Sequence, residues 1–579
     1  MNLIEALEVL KQPVPAGSPS IRVGLACGFT PLHLQTFLAA HLRQRMPGHG
    51  IEIVPGLFGD LAGNIERFAS AKCDVLAIVM EWADLDARLG TRTLGGWRAE
   101  NLPDILQSVD LSLSRIQQAS RKSSGAVPVC VCLPTLPLPP LFATATRQAG
   151  AEELHLRSSV ASFAANIAQE SFVRIVSSQQ LDELSSSAKR FNLQAELAAG
   201  FPYQVSHASA IADLMAALIQ NPNPKKGLIT DLDDTLWSGI LGEIGVEGIS
   251  WDLDRHSHMH GVYQQLLGSL ASAGVLIGVA SKNDAGRVQE ALERKDLILP
   301  KDKVFPVEAH WAPKSESAAR ILKTWNVGPE AVVFIDDSPM EVAEVKAAFP
   351  EMQCIVFPRN DLAAIWSLLK QLRNLFGKST VSPEDLIRME GIRSGGALRE
   401  MVTGDASSAD DFLKNADAEI EFSFAKQALD TRAFELINKT NQFNLNGKRL
   451  TEAAWQEYLS DPATFLITVS YEDKYGPLGK IAVLLGKVQE RRVRVDFWVM
   501  SCRAFSRRIE HQCLKQLCER FDVTEIIFDY QTTPRNGPLQ EFFAAIAGAP
   551  MPAQLRVSRR AIQDKSPALF HRVKELVNA

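Results

Sequence analysis

The chain has 579 residues, 61 of them basic and 67 acidic, for a formal net charge of −6. At roughly 150 residues per domain this is enough for three or four domains, and a net-acidic balance argues against a general nucleic-acid binder. A hydrophobic content of 46% with 22% charged residues is ordinary globular composition and excludes a mainly disordered or collagen-like chain.

Residues 21–28 read as a buried strand ending in a glycine turn, followed by a helical pattern over His33–Leu42. Further strands are expected near Ile51–Pro55, Cys73–Val79 and Val127–Leu133. Alternating strands and helices predict a parallel sheet with both faces covered. This first α/β domain is read as residues 1–220, and the polar stretch 221–226 as a boundary. A second strand–helix series occupies 221–376, with strands at Gly227–Asp231, Val275–Ser281, Lys303–Phe305, Val332–Asp336 and Gln353–Phe357. Residues 377–415 are polar and read as a linker. A mixed α+β domain fills 416–579, with strands near Glu419–Phe424, Thr464–Tyr471, Gly479–Gly486, Arg491–Met500 and Glu525–Tyr530, and helices near 431–438 and 507–521. The fold class is therefore α/β and multidomain.

Apolar runs such as 274–280 fall far short of the ~18 residues that span a bilayer. Residues 1–8 lack a basic segment followed by an apolar core, so no secretion signal is expected. The cysteines are scattered without zinc-ligand spacing, so reduced thiols in the cytoplasm are expected.

The strongest chemical signal is 228–235, Leu-Ile-Thr-Asp-Leu-Asp-Asp-Thr. An apolar strand here delivers Asp231, Asp233 and Asp234 to its C-terminal end, where open α/β sheets place reacting groups. Two more strand ends carry chemistry. Ser281 closes 279–281, and Asp336 with Asp337 closes 333–337. Between them, Lys314 sits in a loop entering a helix. In-line phosphoryl transfer needs a nucleophile, charge neutralisation and proton traffic. A carboxylate can attack phosphorus, a second can move the proton, and a lysine can offset charge. Clustered carboxylates repel one another without a cation, and a hard ion such as Mg²⁺ suits oxygen ligands.

The ordered set Asp231, Ser281, Lys314, Asp336 resembles the four motifs of the haloacid dehalogenase superfamily. Residues 235–245, Ser281-Lys-Asn-Asp284, Trp311-x-Pro-Lys314, Phe334-Ile-Asp-Asp-Ser-Pro339, Asn438-Lys-Thr-Asn-Gln-Phe-Asn444 and Met500-Ser-Cys-Arg503 resemble its FkbH-like branch, subfamily IIIC. The resemblance implies Asp231 as nucleophile and Asp233 as acid and base. It implies Ser281 and Lys314 on the phosphoryl group, and Mg²⁺ held by Asp231, the Asp233 carbonyl and Asp336. Asp337 is expected either as an outer metal partner or as an acid pairing with Lys314. Candidate substrate contacts are Thr235, Trp237, Asn283 and Arg503. The short intervals between the motifs leave no room for a cap domain, so an open, capless site is expected. The substrate implied is a phosphorylated small molecule. In some members this is 1,3-bisphosphoglycerate, whose glyceryl group is loaded on an acyl carrier protein; a plain sugar-phosphate phosphatase and a non-catalytic scaffold are the alternatives. No nucleic-acid or membrane partner is expected.

The flanking domains resemble known folds more loosely. Residues 416–579 are similar to a GNAT-type acyltransferase fold, but the glycines of its pyrophosphate-binding turn are replaced by Ser506 and Arg508, which crowds the turn. Cys502 is a candidate thioester carrier or a packed cysteine. Arg491, Arg492, Arg494, Arg503, Arg507 and Arg508 are either a solvated face or a docking patch for an acidic carrier. Residues 1–220 are similar to an SGNH-hydrolase-like domain, but Ala26-Cys27-Gly28 stands where such an enzyme has Gly-Asp-Ser, so it is expected to be inactive. His256, His258 and His260 invite a metal reading, which helical spacing disfavours.

Overall fold

Short runs rich in valine, isoleucine and leucine become the strands of two all-parallel sheets, because helices cover both faces of each. The computed structural model describes residues 1–15, 17–124, 127–140, 147–170, 172–378, 381, 383–386, 389, 392, 410, 413–426, 430–474, 476–489, 491–501, 504–505, 507–548 and 555–576. The chain divides into two units, Met1–Pro222 and Asn223–Ala579.

The first unit holds β1 (Ser20–Ala26), β2 (Gly50–Pro55), β3 (Val75–Val79), β4 (Val129–Cys132) and β5 (Val173–Ile175), in the order β2-β1-β3-β4-β5. Every pairing is parallel. β5 escapes the sequence pattern because three residues are too few to show a period. Cys27, just after β1, is buried with its thiol on the Phe29 carbonyl at 3.3 Å, and burial holds that thiol far above its ordinary pKa.

Behind the C-terminal end of β4 lies a buried polar chain. Ser185 and Thr135 hydroxyls each sit 2.9 Å from a ring nitrogen of His207. Thr135 Oγ1 donates to Glu81 at 2.6 Å, and the Tyr203 hydroxyl donates to the same carboxylate at 2.8 Å. Thr135 and Leu136 backbone N–H groups complete the Glu81 shell at 3.1 Å. Burial pushes Glu81 up to about 7, with Thr135, Leu136 and Tyr203 pulling against it.

In the second unit, β6 (Gly227–Thr230), β7 (Leu276–Ser281), β8 (Val304–Ala309), β9 (Val332–Asp336) and β10 (Gln353–Val356) are ordered β10-β9-β6-β7-β8, all parallel. The chain steps outward from β6 to β8 and then returns to the other side for β9. The strand order therefore reverses between β6 and β9, which in open sheets opens a crevice at the carboxyl ends. Asp231 follows β6 and Asp336 ends β9, and the Asp231 N–H bonds the Ile335 carbonyl at 2.9 Å.

A seven-stranded mixed sheet follows, made of β11 (Glu419–Ser423), β12 (Thr464–Asp473), β13 (Gly476–Gln489), β14 (Arg492–Met500), β15 (Glu525–Phe528), β16 (Leu555–Ser558) and β17 (Arg572–Leu576). Its order is β16-β15-β14-β13-β12-β11-β17. β14 and β15 pair in parallel from Arg492–Glu525 to Val495–Phe528. Beyond that point the segment Phe443–Asn446 lies between them. Leu445 N–H donates to Trp498 O at 2.9 Å, Met500 N–H to Phe443 O at 3.0 Å, and Gln531 N–H to Leu445 O at 3.1 Å. The Asn446 amide spans both sides, to Asp496 O at 2.9 Å and Asp529 O at 3.0 Å. The asparagine-rich stretch 438–446 is thus a structural wedge. Its neighbour Asn441 reaches Glu330 at 3.4 Å, and Arg535 reaches Glu351 at 3.1 Å, tying this sheet's loops to the parallel sheet. No helix among the described residues is long and apolar enough to cross a membrane.

The Glu81 shift carries a signed pH dependence. The native state keeps this proton between about 4.5 and about 7, where the unfolded chain has released it. Glu81 therefore makes the first unit less stable as pH rises through that window, by about 3 kcal/mol in all. Hydrogen exchange of the segment 129–136, corrected for intrinsic rates and compared at the two ends of the window, should show this slope in the wild type and a smaller one in Glu81→Gln. Equal slopes would refute it.

Candidate active site

The site forms where three strand ends meet the start of one helix. β6 ends one residue before Asp231, β7 ends in Ser281, and β9 ends in Asp336. Lys314 opens the helix Lys314–Trp325 after the capping residue Pro313. The fixed φ of Pro313 suits a chain about to turn helical.

Lys314 is the centre of the arrangement. Its side chain is 2% exposed, and its ammonium lies 2.9 Å from Asp231 Oδ1, 2.6 Å from Glu341 Oε2 and in contact with Asp336. Burial works against its charge, but Asp231 and Asp336 hold it above the ordinary lysine range. Burial pushes Asp231 up to about 7, with Lys314 pulling it down and Asp336 raising it. Asp336 is raised by burial against the pull of Lys314. Glu341 is held below its usual range, despite its burial, by Lys314 and by Lys282 at 2.9 Å.

A second set adjoins the first. Asp233 Oδ1 accepts from the Trp237 indole at 3.0 Å and from the Leu241 N–H at 3.1 Å. Its Oδ2 accepts from the Asn283 amide at 3.0 Å, and the same amide nitrogen lies 3.1 Å from Ser281 Oγ. The structure thus brings Asp231, Lys314 and Asp336 into one contact group and Asp233, Asn283 and Ser281 into another. Trp237 is 0% exposed within the core, and Asn283 is 5% exposed. Both were expected as substrate contacts, yet both turn their polar groups onto Asp233. Thr235 is buried, and its hydroxyl has no hydrogen-bond partner among the described residues. Cys502 and Arg503 lie outside the described residues.

Asp337 does not pair with Lys314. It bonds Arg359 at 2.9 Å, and Arg359 also takes Asp234 at 2.7 Å. Glu341 and Arg359 carry no motif at the sequence level. Glu341 could have been found only from its place one turn into the helix Pro339–Ala348, which starts beside Asp336. The histidines separate: His256 and His258 are exposed, whereas His260 is buried with Nδ1 2.9 Å from the Thr235 carbonyl.

One ligand atom each from Asp231, Asp336 and Asp337 lies within 4.8 Å of the others. Asp231 Oδ1 has the Lys314 ammonium as its partner, at 2.9 Å. Acids also outnumber cations here: Asp231, Asp233, Asp234, Asp336, Asp337 and Glu341 stand against Lys282, Lys314 and Arg359. Hard oxygen donors and excess negative charge fit Mg²⁺. The Asp233 side chain is not among these ligands, being taken up by Trp237, Leu241 and Asn283.

Residues 234–275 form a loop with the short helix Leu241–Ile244 and the helix His258–Ser272, not a cap domain. Four of the arginines considered as a solvated face or a docking patch have acidic partners. Arg492 pairs with Glu525 at 3.4 Å, Arg494 with Asp496 at 2.7 Å, Arg507 with Asp473 at 3.4 Å in a buried contact, and Arg508 with Asp410.

No family model and no curated protein matches the sequence. Among solved structures, the N-terminal part of the protein BF1531 from Bacteroides fragilis, which contains a phosphatase domain and is complexed with Mg, aligns over 66% of this chain and 100% of its own. The identity is 19% and the TM-score 0.53, a likeness of fold. An uncharacterized protein from Corynebacterium glutamicum (17% identity, 27% of this chain and 98% of that one, TM-score 0.20) and the salicylyl-acyltransferase SsfX3 from a tetracycline biosynthetic pathway (11%, 36% and 56%, TM-score 0.21) also align. These last two likenesses are too small to place a fold.

Removing Lys314 leaves buried carboxylates uncompensated, which costs about 3 kcal/mol or more. Lys314→Met should therefore lower the thermal unfolding midpoint measured without divalent cations, and saturating Mg²⁺ should recover part of the loss. An unchanged midpoint would show that the ion group does not support the fold.

Proposed function

We propose that the second unit is a Mg²⁺-dependent phosphatase or phosphotransferase of the haloacid dehalogenase type, acting in the cytoplasm. The observation that carries this is the convergence of Asp231, Lys314 and Asp336 at the crevice between β6 and β9, with Asp233 and Ser281 alongside. The fold shared with the Mg-complexed phosphatase-domain structure supports it.

An Asp231 carboxylate oxygen attacks phosphorus in line, forming a P–O bond as the bond to the leaving oxygen breaks. Asp233 gives its proton to that oxygen. Lys314 offsets the charge gathering on the phosphoryl oxygens, and the Ser281 hydroxyl orients them. Water then attacks phosphorus of the aspartyl phosphate, Asp233 takes its proton back, and phosphate leaves with Asp231 restored. Mg²⁺, held by Asp231 and Asp336 with Asp337 beside them, would supply Lewis-acid charge neutralisation. Asp231→Asn keeps the shape and removes the nucleophile, so phosphate release from 4-nitrophenyl phosphate should fall by at least about a thousandfold. Turnover at the wild-type rate would exclude Asp231 from the chemistry.

The finer reading is loading of a glyceryl group from 1,3-bisphosphoglycerate onto an acyl carrier protein. It rests on the FkbH-like motifs and on the capless site, which leaves room for a substrate borne on a macromolecule. Incubation with that acyl phosphate, Mg²⁺ and a panel of holo carrier proteins should add one glyceryl mass to a carrier. Free phosphate without acyl mass on any carrier, together with efficient hydrolysis of sugar phosphates, would favour the simpler phosphatase.

A further inference from the structure

A proton donor in a phosphoryl-transfer site works only if it is aimed at the leaving oxygen, and mobile lids often supply the aim on closing. This chain has no cap, yet its Asp233 carboxylate is already held. Oδ1 accepts two donors, the Trp237 indole at 3.0 Å and the Leu241 N–H at 3.1 Å. Oδ2 accepts one, the Asn283 amide at 3.0 Å, which leaves it a lone pair able to carry the proton. Each donor is itself fixed. Trp237 is fully buried and bridges back to Asp233 through the backbone. Asn283 is buried, with its amide nitrogen also 3.1 Å from Ser281 Oγ. The loop that carries Leu241 is pinned by Gly239 N–H on Asp234 at 2.8 Å and by Arg287 on the Gly242 carbonyl at 3.2 Å.

We propose that Trp237 and Asn283 are positioning residues that preset Asp233 for proton transfer from Oδ2, replacing the aim a closing cap would give. Asn283 also sets the distance between that proton and the phosphoryl oxygens held by Ser281, because one amide nitrogen touches both side chains. The inference rests on the phosphatase reading and adds a consequence for substrates: the preset matters most where the leaving oxygen is an alcohol, and least for an acyl phosphate, whose carboxylate leaves unprotonated.

The test is the dependence of kcat/KM on the acidity of the leaving alcohol, measured with the full chain and Mg²⁺ across 4-nitrophenyl, phenyl and methyl phosphate. The wild type should show a shallow dependence. Trp237→Phe and Asn283→Ala should fall several-fold on 4-nitrophenyl phosphate, whose leaving group departs readily, and at least about tenfold further on methyl phosphate. Asp233→Asn should give the steepest dependence. Circular dichroism checks that each variant is folded; if Trp237→Phe is not, Asn283→Ala alone decides. Parallel losses across all three esters in a folded variant, with the steepening confined to Asp233→Asn, would overturn the positioning role while leaving the phosphatase intact. No phosphate release from any ester by the wild type would overturn both.

Discussion

One buried ammonium organises the centre of the parallel sheet in the second unit. Lys314 would not be stable as a cation at 2% exposure without the carboxylates of Asp231, Asp336 and Glu341 around it. Those carboxylates would not tolerate one another without Lys314. The pairing joins the ends of β6 and β9, where the strand order reverses, to the first turn of the helix Lys314–Trp325. Glu341 extends it to Lys282 and so to the end of β7. The same contacts that close the fold therefore set the distances between the groups proposed to react.

The ion group is still short of positive charge, and that shortage links fold to chemistry. Burial raises Asp231, Asp336 and Asp337 because the protein solvates their charges poorly. A divalent cation would relieve all of them at once. Stability and metal affinity are then two readings of one local imbalance.

The sequence was legible where burial on both faces leaves only apolar residues. The runs ending in Asp231, Ser281 and Asp336 show this, and their strands end within one residue of expectation. It was less legible at edges and in partners. β17, Arg-Val-Lys-Glu-Leu, is exposed along its whole length and carries no apolar period. Glu341 sits in a helix whose other residues are unremarkable, and only the folded chain shows that it lies between two lysines. Trp237 is expected as a substrate contact from the family resemblance, which does not say which way the indole turns. Its burial turns it inward to Asp233. Arg359 stands 22 residues beyond Asp337 with no spacing rule to connect them.

The wedge Phe443–Asn446 also sets how the last sheet responds to force and heat. The last direct bond between β14 and the chain after β15 runs from Asp529 N–H to Val495 O at 3.0 Å, and past it the two are joined through an extended segment that bonds both. Pulling either strand away must break the wedge's bonds to the other as well. A parallel pair that would otherwise peel apart from its open end is thereby cross-braced, and loosening one strand loosens the segment that holds the other.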